Sequence, residues 1–335
     1  MSKVIWFNHW FSSAYNIINL IHSGVDDVHI IGSNTSDSSV IKTVCDEWYK
    51  EPSDMHADAY VRFCLNFCIK HKVDIFVPRR EAVAIGHAAK DFADIGVKLL
   101  LDSNAAILFD DKLRTYRCLA EVIPGHIPEF FEVRSLDDFD SAYSAITHAG
   151  NRMIFKYSSD EGGTSFRVID DSLVGSNALN INPGAKLPFS TARKLVQDQV
   201  GSHTFIAMTY LNGIEVSCDC LAVSDTDRIV LARYKLGGRV YAVRNDEKLT
   251  KICNEIIDYS KLNAPCNIQF RYHNDKLYLL EVNTRMSGGI QLSCAASGIN
   301  IPALAVNKLL NRPLDYTKFN GSKTVSYAEV PVCLT

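Results

Sequence analysis

Strand-like and helix-like segments alternate through the first hundred residues, and this alternation limits the possible folds more than any other feature of the sequence. Apolar runs predict strands at 4–7, 28–31, 74–77 and 97–101, and helical patterns lie between them at 15–22, 59–71 and 81–92. Because parallel strands need such crossover helices, the spacing predicts a doubly wound parallel sheet covered on both faces. Ligands of such sheets bind beyond the carboxyl ends of the strands. Here those ends carry polar residues at 8–9, 32–34 and 78–81.

From Ser103 onward the order of elements changes. Pairs of neighbouring strand-like runs, such as 204–210 with 215–223, stand beside helical patterns such as 136–148 and 249–262. This part of the chain is therefore predicted to be α+β, with antiparallel sheets and helices packed beside them. We predict one α/β domain followed by two α+β subdomains, with the boundaries 1–105, 106–207 and 208–335.

Composition excludes several classes of function. Lys plus Arg number 35 and Asp plus Glu 38, a net charge of −3, so no global positive field favours nucleic acid as the partner. No apolar stretch approaches the length of a membrane span, and the run 4–7 is too short for a signal peptide. The ten cysteines include no Cys-x-x-Cys pair, which favours reduced, buried thiols and a cytoplasmic protein.

The most informative polar residues lie in the segment 267–285. Glu281 and Asn283 are two residues apart in a strand-like run, so their side chains project from one face. A five-residue hairpin connection, or one bulge, would place Gln269 opposite Glu281. One carboxylate and two amide oxygens suit Mg²⁺, and Arg285 would stabilise a transferring phosphoryl group. The residue types alone fit a polar hairpin end with an ordinary ion pair equally well.

A lysine on an apolar strand precedes a glycine-containing turn. Lys156 is followed by the segment Glu161–Ser165, in which Gly162 and Gly163 would let the backbone approach a phosphate closely. Lys156 would act there as a point charge for phosphate. A plain hairpin turn explains the same residues.

A third pattern concerns the run 205–219. An apolar strand reaches a tight turn at Asn212 and Gly213, and the next strand begins at Glu215. Such a crossing offers backbone groups to an adenine edge and a carboxylate to ribose hydroxyls. A buried hairpin with a solvated acidic face, formed by Glu215, Ser217 and Asp219, explains the pattern as well.

Several further residues are candidates by position only. Lys112 has the sequence surroundings of a solvated helix residue. Arg79, Arg80 and Glu81 follow an apolar strand and would suit a zwitterion, although surface ion pairs explain them too. His9 lies at a strand end where ligands bind.

Taken together and in this order, these features resemble the ATP-grasp superfamily, and within it the carbamoyl-phosphate-synthetase-like branch of stand-alone carboxylate–amine ligases. The segment 279–289 is similar to the family signature Glu-x-Asn-x-Arg-x-Ser-Gly-Gly. Gln269 stands where the family has its other metal ligand, and the segment 298–302 resembles a turn that recurs in the family. The resemblance extends from the first sheet to Ile301.

For the nucleotide, the resemblance implies two sets of contacts. The phosphates of ATP would contact two lysines and a loop that closes over them, namely Lys112, Lys156, Gly162, Gly163 and Ser165. The adenine and the ribose would contact Met208, Tyr210, Leu211 and Glu215. Thr209 departs from the family pattern, which often has glutamate at this position, and the adenine contact there stays open.

For the chemistry, the resemblance implies that Gln269, Glu281 and Asn283 hold one or two Mg²⁺ ions, with Mn²⁺ as an alternative. Arg285 would face the γ-phosphate and the acyl phosphate, and Lys156 and Arg285 are the expected catalytic residues. The backbone of Ser287, Gly288 and Gly289 would bind the substrate carboxylate.

The expected activity is ADP-forming ligation of a small carboxylate to an amine through an acyl phosphate. Because acyl phosphates hydrolyse, we expect a mobile lid at 161–165 or 175–183. The alternatives are a phosphotransferase that stops at a phosphorylated product and a nucleotide-binding protein without turnover. Expected partners are the small-molecule substrates and a second copy of the chain in a homodimer, with no nucleic acid or membrane.

Overall fold

The computed structural model describes residues 2–160, 163–173 and 184–334. Its contacts divide the chain into two compact units. Unit 1 comprises Met1–Leu108, Ile214–Gln269 and Val282–Thr335, and unit 2 comprises Phe109–Gly213 and Phe270–Glu281. The domain boundaries predicted from the sequence stay a prediction.

The amino-terminal part of unit 1 is an α/β layer structure. Its five strands are β1 (Lys3–Asn8), β2 (Val28–Asn34), β3 (Glu47–Lys50), β4 (Ile75–Val77) and β5 (Lys98–Leu99). They form one sheet in the order β3-β2-β1-β4-β5, and each neighbouring pair is parallel. The helices of this part are α1 (Ala14–Gly24), α2 (Ala57–His71), α3 (Ala82–His87), α4 (Ala89–Asp94) and α5 (Ser103–Phe109).

Successive residues of β1 pack into different cores, as the alternation of a strand requires. Ile5 and Phe7 pack in the cluster that contains α1 residues such as Ile17. Trp6 packs in a second cluster with Tyr60 of α2, and its ring stacks on Phe76. The sheet is therefore covered on both faces, which confirms the predicted doubly wound arrangement.

The strands of unit 2 form a five-stranded sheet. They are β6 (Phe130–Val133), β7 (Met153–Tyr157), β8 (Arg167–Ile169), β9 (Lys186–Leu187) and β10 (Phe205–Thr209). The order is β6-β10-β7-β8-β9, and every pair is antiparallel except β8 with β9. The helices are α6 (Lys112–Leu119), α7 (Leu136–His148) and α8 (Phe189–Gln199). A capping box formed by Ser135 and Asp138 begins α7.

The remaining strands form a six-stranded sheet. They are β11 (Glu215–Ala222), β12 (Arg228–Gly237), β13 (Val240–Arg244), β14 (Cys266–His273), β15 (Lys276–Asn283) and β16 (Ser322–Ser326), in the order β15-β14-β11-β12-β13-β16. The helices are α9 (Glu247–Ser260), α10 (Ile290–Ser297) and α11 (Ile301–Leu309). Within unit 1, Ile290 and Ile301 belong to the same core as Ile5, so one apolar core joins α10 and α11 to the parallel sheet.

Several local expectations differ from the structure. The helix predicted at 81–92 is two helices, α3 and α4, because the helical conformation is interrupted at Ala88. Glu81 lies before α3 in a left-handed conformation with φ 55°. The β14–β15 connection is two residues long, Asn274 and Asp275, both left-handed as a tight hairpin turn requires, so the five-residue connection is wrong. The ten cysteines, all within the described ranges, form no disulfide bond. Among the helices in the described ranges, none is long and apolar enough to span a membrane.

Candidate active site

Two buried lysines of unit 2 lie in one group of charges. Lys112 begins α6, and its Nζ donates to the backbone oxygen of Asp160 at 2.7 Å and to its Oδ1 at 2.9 Å. Lys156, on β7, is 9 % exposed, and its Nζ has no hydrogen-bond or ion-pair partner among the residues that the structure describes. We call Lys112, Lys156, Asp160 and Glu281, all in unit 2, the lysine group.

The charges of the lysine group act on one another. Burial and, to a smaller extent, the neighbouring charge of Lys112 lower the pKa of Lys156, and the charges of Glu281 and Asp160 oppose them. The result is a pKa of about 8. Burial alone would raise the pKa of Asp160, but hydrogen bonds from Ser165 and Lys112 hold it below its ordinary value. The group thus keeps two ammonium groups close together away from water, an arrangement that favours an anion.

The predicted phosphate loop is described only in part. Glu161 and Gly162 lie outside the described residues, as do 175–183, so neither lid expectation is tested. Gly163 has φ 65°, and the Ser165 side chain and backbone N–H donate to Asp160 Oδ2. Ser165 Oγ accepts from the Tyr157 N–H at 2.9 Å. The described end of the loop is therefore tied to the carboxylate that holds Lys112.

The predicted adenine residues lie at the end of β10. Met208 and Leu211 are buried apolar side chains, and Thr209 between them is also buried. The Tyr210 N–H donates to the backbone oxygen of Arg152 at 2.7 Å, and the Arg152 guanidinium lies 5.1 Å from the Tyr210 ring centroid. This end of β10 is an apolar edge with one aromatic ring, which suits a planar base.

The turn after these residues is fixed by a close backbone contact within unit 2. The Gly213 N–H donates to the backbone oxygen of Tyr272 at 2.9 Å, and a Cβ at position 213 would lie 2.5 Å from that oxygen. Glycine is therefore required at this position. Glu215, the predicted ribose ligand, begins β11 in unit 1.

The predicted metal ligand Gln269 is oriented by a chain of hydrogen bonds in unit 1. Its Nε2 donates to Asn267 Oδ1 at 3.0 Å, and Asn267 Nδ2 donates to Asp219 Oδ1 at 2.8 Å. Because the carboxylate can only accept, this chain directs each amide in turn. The amide oxygen of Gln269 is left available for a cation, so this residue fits the role of a Mg²⁺ ligand.

The other predicted ligands are partly buried. Glu281 and Asn283 lie on β15, and Arg285 follows it after two residues. Glu281 belongs to unit 2 and Asn283 to unit 1. The described residues contain no group of three or more His, Cys, Asp or Glu arranged to hold a metal. The predicted metal ligands, Gln269, Glu281 and Asn283, are one carboxylate and two amides, so they do not form a group of this kind.

The Ser-Gly-Gly segment is anchored on a fully buried carboxylate of unit 1. Asp219 accepts from Ser287 Oγ and from Ser293 Oγ, both at 2.6 Å. Arg233 Nη2 lies 3.5 Å from Asp219 Oδ2 and donates to Ser287 Oγ at 3.2 Å. We call Asp219, Arg233, Asn267, Ser287 and Ser293 the Asp219 network.

Arg233 also explains the second glycine of this segment. A Cβ at position 289 would lie 2.5 Å from the Cζ and Nη1 atoms of Arg233, so a side chain there would displace the guanidinium. The Gly289 N–H donates to Ser287 Oγ at 3.3 Å. Gly288 is exposed and has more room, since its Cβ would lie 3.4 Å from Ser13 Cβ.

Three important residues were not singled out by the sequence: Asp160, Asp219 and Arg233. The alternative of a solvated acidic face on β11 is wrong for Asp219 and Ser217, which are both buried. The sequence did contain a signal for Asp219. Asp219 is two residues after Ser217 in an apolar strand, so the two side chains lie on the same face, and both face either the core or the solvent. Nothing in the sequence marked Arg233, whose partners come from distant segments.

Comparisons with known proteins give both a sequence match and shared folds. Residues 201–331 match the family model described as "ATP-grasp in the biosynthetic pathway with Ter operon". The chain is 24 % identical over 303 residues to the carbamoyl phosphate synthase large chain of Clostridium acetobutylicum, covering 85 % of this chain and 26 % of that relative. The chain thus spans about a quarter of the length of the curated relative it matches.

Solved structures share the fold at low sequence identity. The biotin carboxylase domain of the Hydrogenobacter thermophilus 2-oxoglutarate carboxylase, in complex with MgADP, ADP and bicarbonate, matches with a TM-score of 0.70 and 14 % identity, over 96 % of this chain and 73 % of that one. An L-amino acid ligase from Bacillus licheniformis matches with a TM-score of 0.65 and 14 % identity, over 92 % and 74 %. The resemblance to the ATP-grasp superfamily that the signature residues indicate is confirmed by the family match over residues 201–331 and by these similarities.

Proposed function

We propose that this chain is an ATP-dependent ligase that joins a small carboxylate to an amine and releases ADP and phosphate. The observation that carries the proposal is the lysine group, in which the ammonium of Lys156 is buried without a hydrogen-bonded counter-ion among the described residues. A buried cation is costly unless it is paired, and a phosphate group would supply the missing anion.

In the first step a carboxylate oxygen of the substrate attacks the γ-phosphorus, and the bond from that phosphorus to the β-bridging oxygen of ADP breaks. Two anions must approach each other, so positive charge around them lowers the barrier. Lys112 and Lys156 would bind the phosphates of ATP, and Arg285 would stabilise the transferring phosphoryl group. Mg²⁺ held by Gln269, Glu281 and Asn283 would offset the charge of the phosphate oxygens.

The Asp219 network would hold the carboxylate substrate in place. Ser287, Gly288 and Gly289 would present backbone N–H groups to it, and the bonds of Asp219 and Arg233 to the Ser287 hydroxyl fix this segment before the substrate arrives. Such pre-organisation lowers the entropy cost of reaching the reactive geometry.

In the second step the amine nitrogen attacks the acyl carbon, and the electron pair of the broken C–O bond leaves with phosphate. The amine then loses a proton and an amide remains. Two named similarities support C–N bond formation: the similarity to a carbamoyl phosphate synthase chain and the shared fold of an L-amino acid ligase. We propose small-molecule carboxylates and amines as the substrates.

The proposal is tested by measuring ADP release from Mg²⁺-ATP with pooled carboxylates and pooled amines. We expect release that requires both pools. Glu281→Gln removes the single carboxylate of the predicted metal set and should abolish release, whereas the exposed Glu121→Gln in the same unit should leave it unchanged.

Other outcomes would identify the alternatives. Release that needs a carboxylate pool but no amine would indicate a phosphotransferase. Tight ATP binding without release in any pool would indicate a nucleotide-binding protein without turnover. Equal release by the wild type and Glu281→Gln would contradict the assigned metal site.

A further inference from the structure

The carboxyl edge of the parallel sheet in unit 1 contains a buried carboxylate that the proposed chemistry does not use. Glu51 follows β3, and its side chain is fully buried. It accepts from Ser33 Oγ and from the Tyr60 hydroxyl, both at 2.7 Å, and lies 3.5 Å from Arg80 Nη1. These donors keep the carboxylate in one position.

His9 lies beside this carboxylate in a strained backbone conformation. It follows β1 with φ 46°, in the left-handed region that non-glycine residues rarely adopt, and its N–H donates to the backbone oxygen of Ser33 at 2.8 Å. Its Nδ1 is buried and has no hydrogen-bond partner in the described part of the chain, although it lies 4.0 Å from Glu51 Oε2. About a third of the side chain is exposed, so the accessible part of the ring lies away from Nδ1.

The surroundings of His9 favour its neutral imidazole. Burial lowers the pKa of His9 below its ordinary value. Glu51 opposes this effect, and Arg80 and Arg79 reinforce it. A neutral imidazole beside a buried carboxylate can accept a proton and hold it as an imidazolium.

Arg79 brings a cation to the same edge. It follows β4, its N–H donates to Asn8 Oδ1 at 2.6 Å, and the residue is 7 % exposed. Its guanidinium lies 4.7 Å from the ring centroid of Phe11, which is an exposed aromatic side chain. A guanidinium stacked on a ring keeps its N–H edge in a plane, the geometry that a carboxylate meets with two hydrogen bonds.

The loop that follows β1 lies next to the segment proposed to hold the carboxylate substrate. Ser13 belongs to the loop that His9 begins, and a Cβ on Gly288 would stand 3.4 Å from Ser13 Cβ. Both segments belong to unit 1. The loop that His9 begins therefore reaches the Ser287–Gly289 segment through Ser13.

We propose that His9 and Arg79 form the site for the amine substrate, and that this substrate is an amine that also carries a carboxylate, as amino acids do. The proposal rests on the proposed ligase function. Arg79 would bind the carboxylate of this substrate, and the imidazole of His9 would take the proton that the amine loses as the C–N bond forms and the bond to phosphate breaks. Glu51 would stabilise the resulting imidazolium on its Nδ1 side.

The test compares three amine acceptors, each supplied with the carboxylate found in the pooled assay, in the wild-type enzyme and its variants. Hydroxylamine is a small amine without a carboxylate, and it traps an acyl phosphate as a hydroxamate. The second acceptor is an amino acid, compared with its own amide, which lacks the free carboxylate. Arg79→Gln should raise KM for the amino acid about tenfold or more, and should raise KM for the amino acid amide much less. Arg62→Gln, an exposed arginine of the same unit, is the matched control.

His9→Asn separates the proton step from binding, because asparagine tolerates the left-handed backbone but takes up no proton. It should lower kcat with the amino acid and remove the fall in rate at acidic pH that titration of His9 causes. His22→Asn on α1 is the control. The assignment is overturned if Arg79→Gln has the same KM for the amino acid as Arg62→Gln, or if His9→Asn keeps the fall in rate at acidic pH. In either case, hydroxamate formation by the wild type would still support the ligase. Absence of hydroxamate in the wild type would overturn the ligase itself.

Discussion

The lysine group of unit 2 and the Asp219 network of unit 1 are both buried and charged, but they differ in how completely their polar groups are paired. Asp219 is fully buried and accepts three hydrogen bonds of 2.6–2.8 Å, with Arg233 at 3.5 Å. Lys156 is nearly as buried, yet the described residues give its ammonium no hydrogen bond, and its pKa is lowered to about 8.

This difference indicates different tasks. A buried carboxylate surrounded by donors rigidifies the segments that it joins, and its removal leaves several groups unpaired. A buried ammonium beside a second one is destabilised until an anion arrives. We therefore interpret the Asp219 network as a support that positions the proposed metal ligand Gln269 and the Ser287–Gly289 segment. We interpret the lysine group as the proposed binding site for phosphate.

The largest expected effect concerns stability in the Asp219 network. Asp219→Ala removes the buried carboxylate that Arg233, Asn267 and two serine hydroxyls share, and should lower the free energy of unfolding by about 3–5 kcal/mol. Chemical denaturation measures this change. Asp315→Ala, at an exposed carboxylate in the same unit, should change stability by less than about 0.5 kcal/mol. Equal losses of stability in Asp219→Ala and Asp315→Ala would mean that the Asp219 network does not rigidify the fold, and would remove its contrast with the lysine group.

Lys156→Gln should reduce activity without reducing stability. It removes a destabilised charge, so the free energy of unfolding should not fall, whereas ATP-dependent ADP release should fall about 10²–10³-fold, the range found when one transition-state donor is lost. The exposed Lys194→Gln in unit 2 is the control. A stable variant with wild-type turnover would show that Lys156 does not act on phosphate.

The lowered pKa of Lys156 predicts a pH dependence of nucleotide binding. As pH rises through about 8, the ammonium of the free protein loses its proton, and the dissociation constant for Mg²⁺-ATP should increase by up to about tenfold per pH unit. Binding titrations from pH 7 to 9.5 measure this slope. Lys156→Arg, whose guanidinium stays charged, should flatten it. A wild-type affinity that is constant over this range would contradict the assignment.

The smallest effect tests how tightly the network holds its glycine. Gly289→Ala places a Cβ 2.5 Å from the Arg233 guanidinium and should cost about 1–3 kcal/mol of stability, with a higher KM for the carboxylate substrate. Gly288→Ala has its nearest neighbour at 3.4 Å and should be tolerated better in stability. If the two variants are equally stable, Arg233 is free to move and the network is looser than we infer.

The sequence predicted the fold well where periodicity was strong and poorly where it was weak. Alternating apolar runs predicted the parallel sheet and most strands of the later sheets. The edge strand Glu47–Lys50 was missed, because its residues are half-buried or exposed and carry little pattern. The strand Val240–Arg244 was missed as well, although its pairing with β12 and β16 gives it a defined place.

For the site, the signature residues Glu281, Asn283 and Arg285 could be recognised because they are close in sequence. The Asp219 network could not, since Asp219, Arg233 and Ser287 come from three segments that meet only after folding. Asp160 was hidden for a similar reason, because its contact with Lys112 joins residues 48 positions apart. Local spacing thus predicts ligands on one strand, and tertiary contacts decide what supports them.

The central claim is that a substrate carboxylate attacks the γ-phosphate of ATP, and isotope transfer tests it most directly. The carboxylate found in the pooled assay is labelled with ¹⁸O in both oxygens and supplied with Mg²⁺-ATP and the amine, and the released phosphate is examined by mass spectrometry. An acyl phosphate requires that each turnover leave one ¹⁸O atom in phosphate and one in the amide. Phosphate without label, formed while ADP accumulates, would mean that water attacks ATP and would contradict the account.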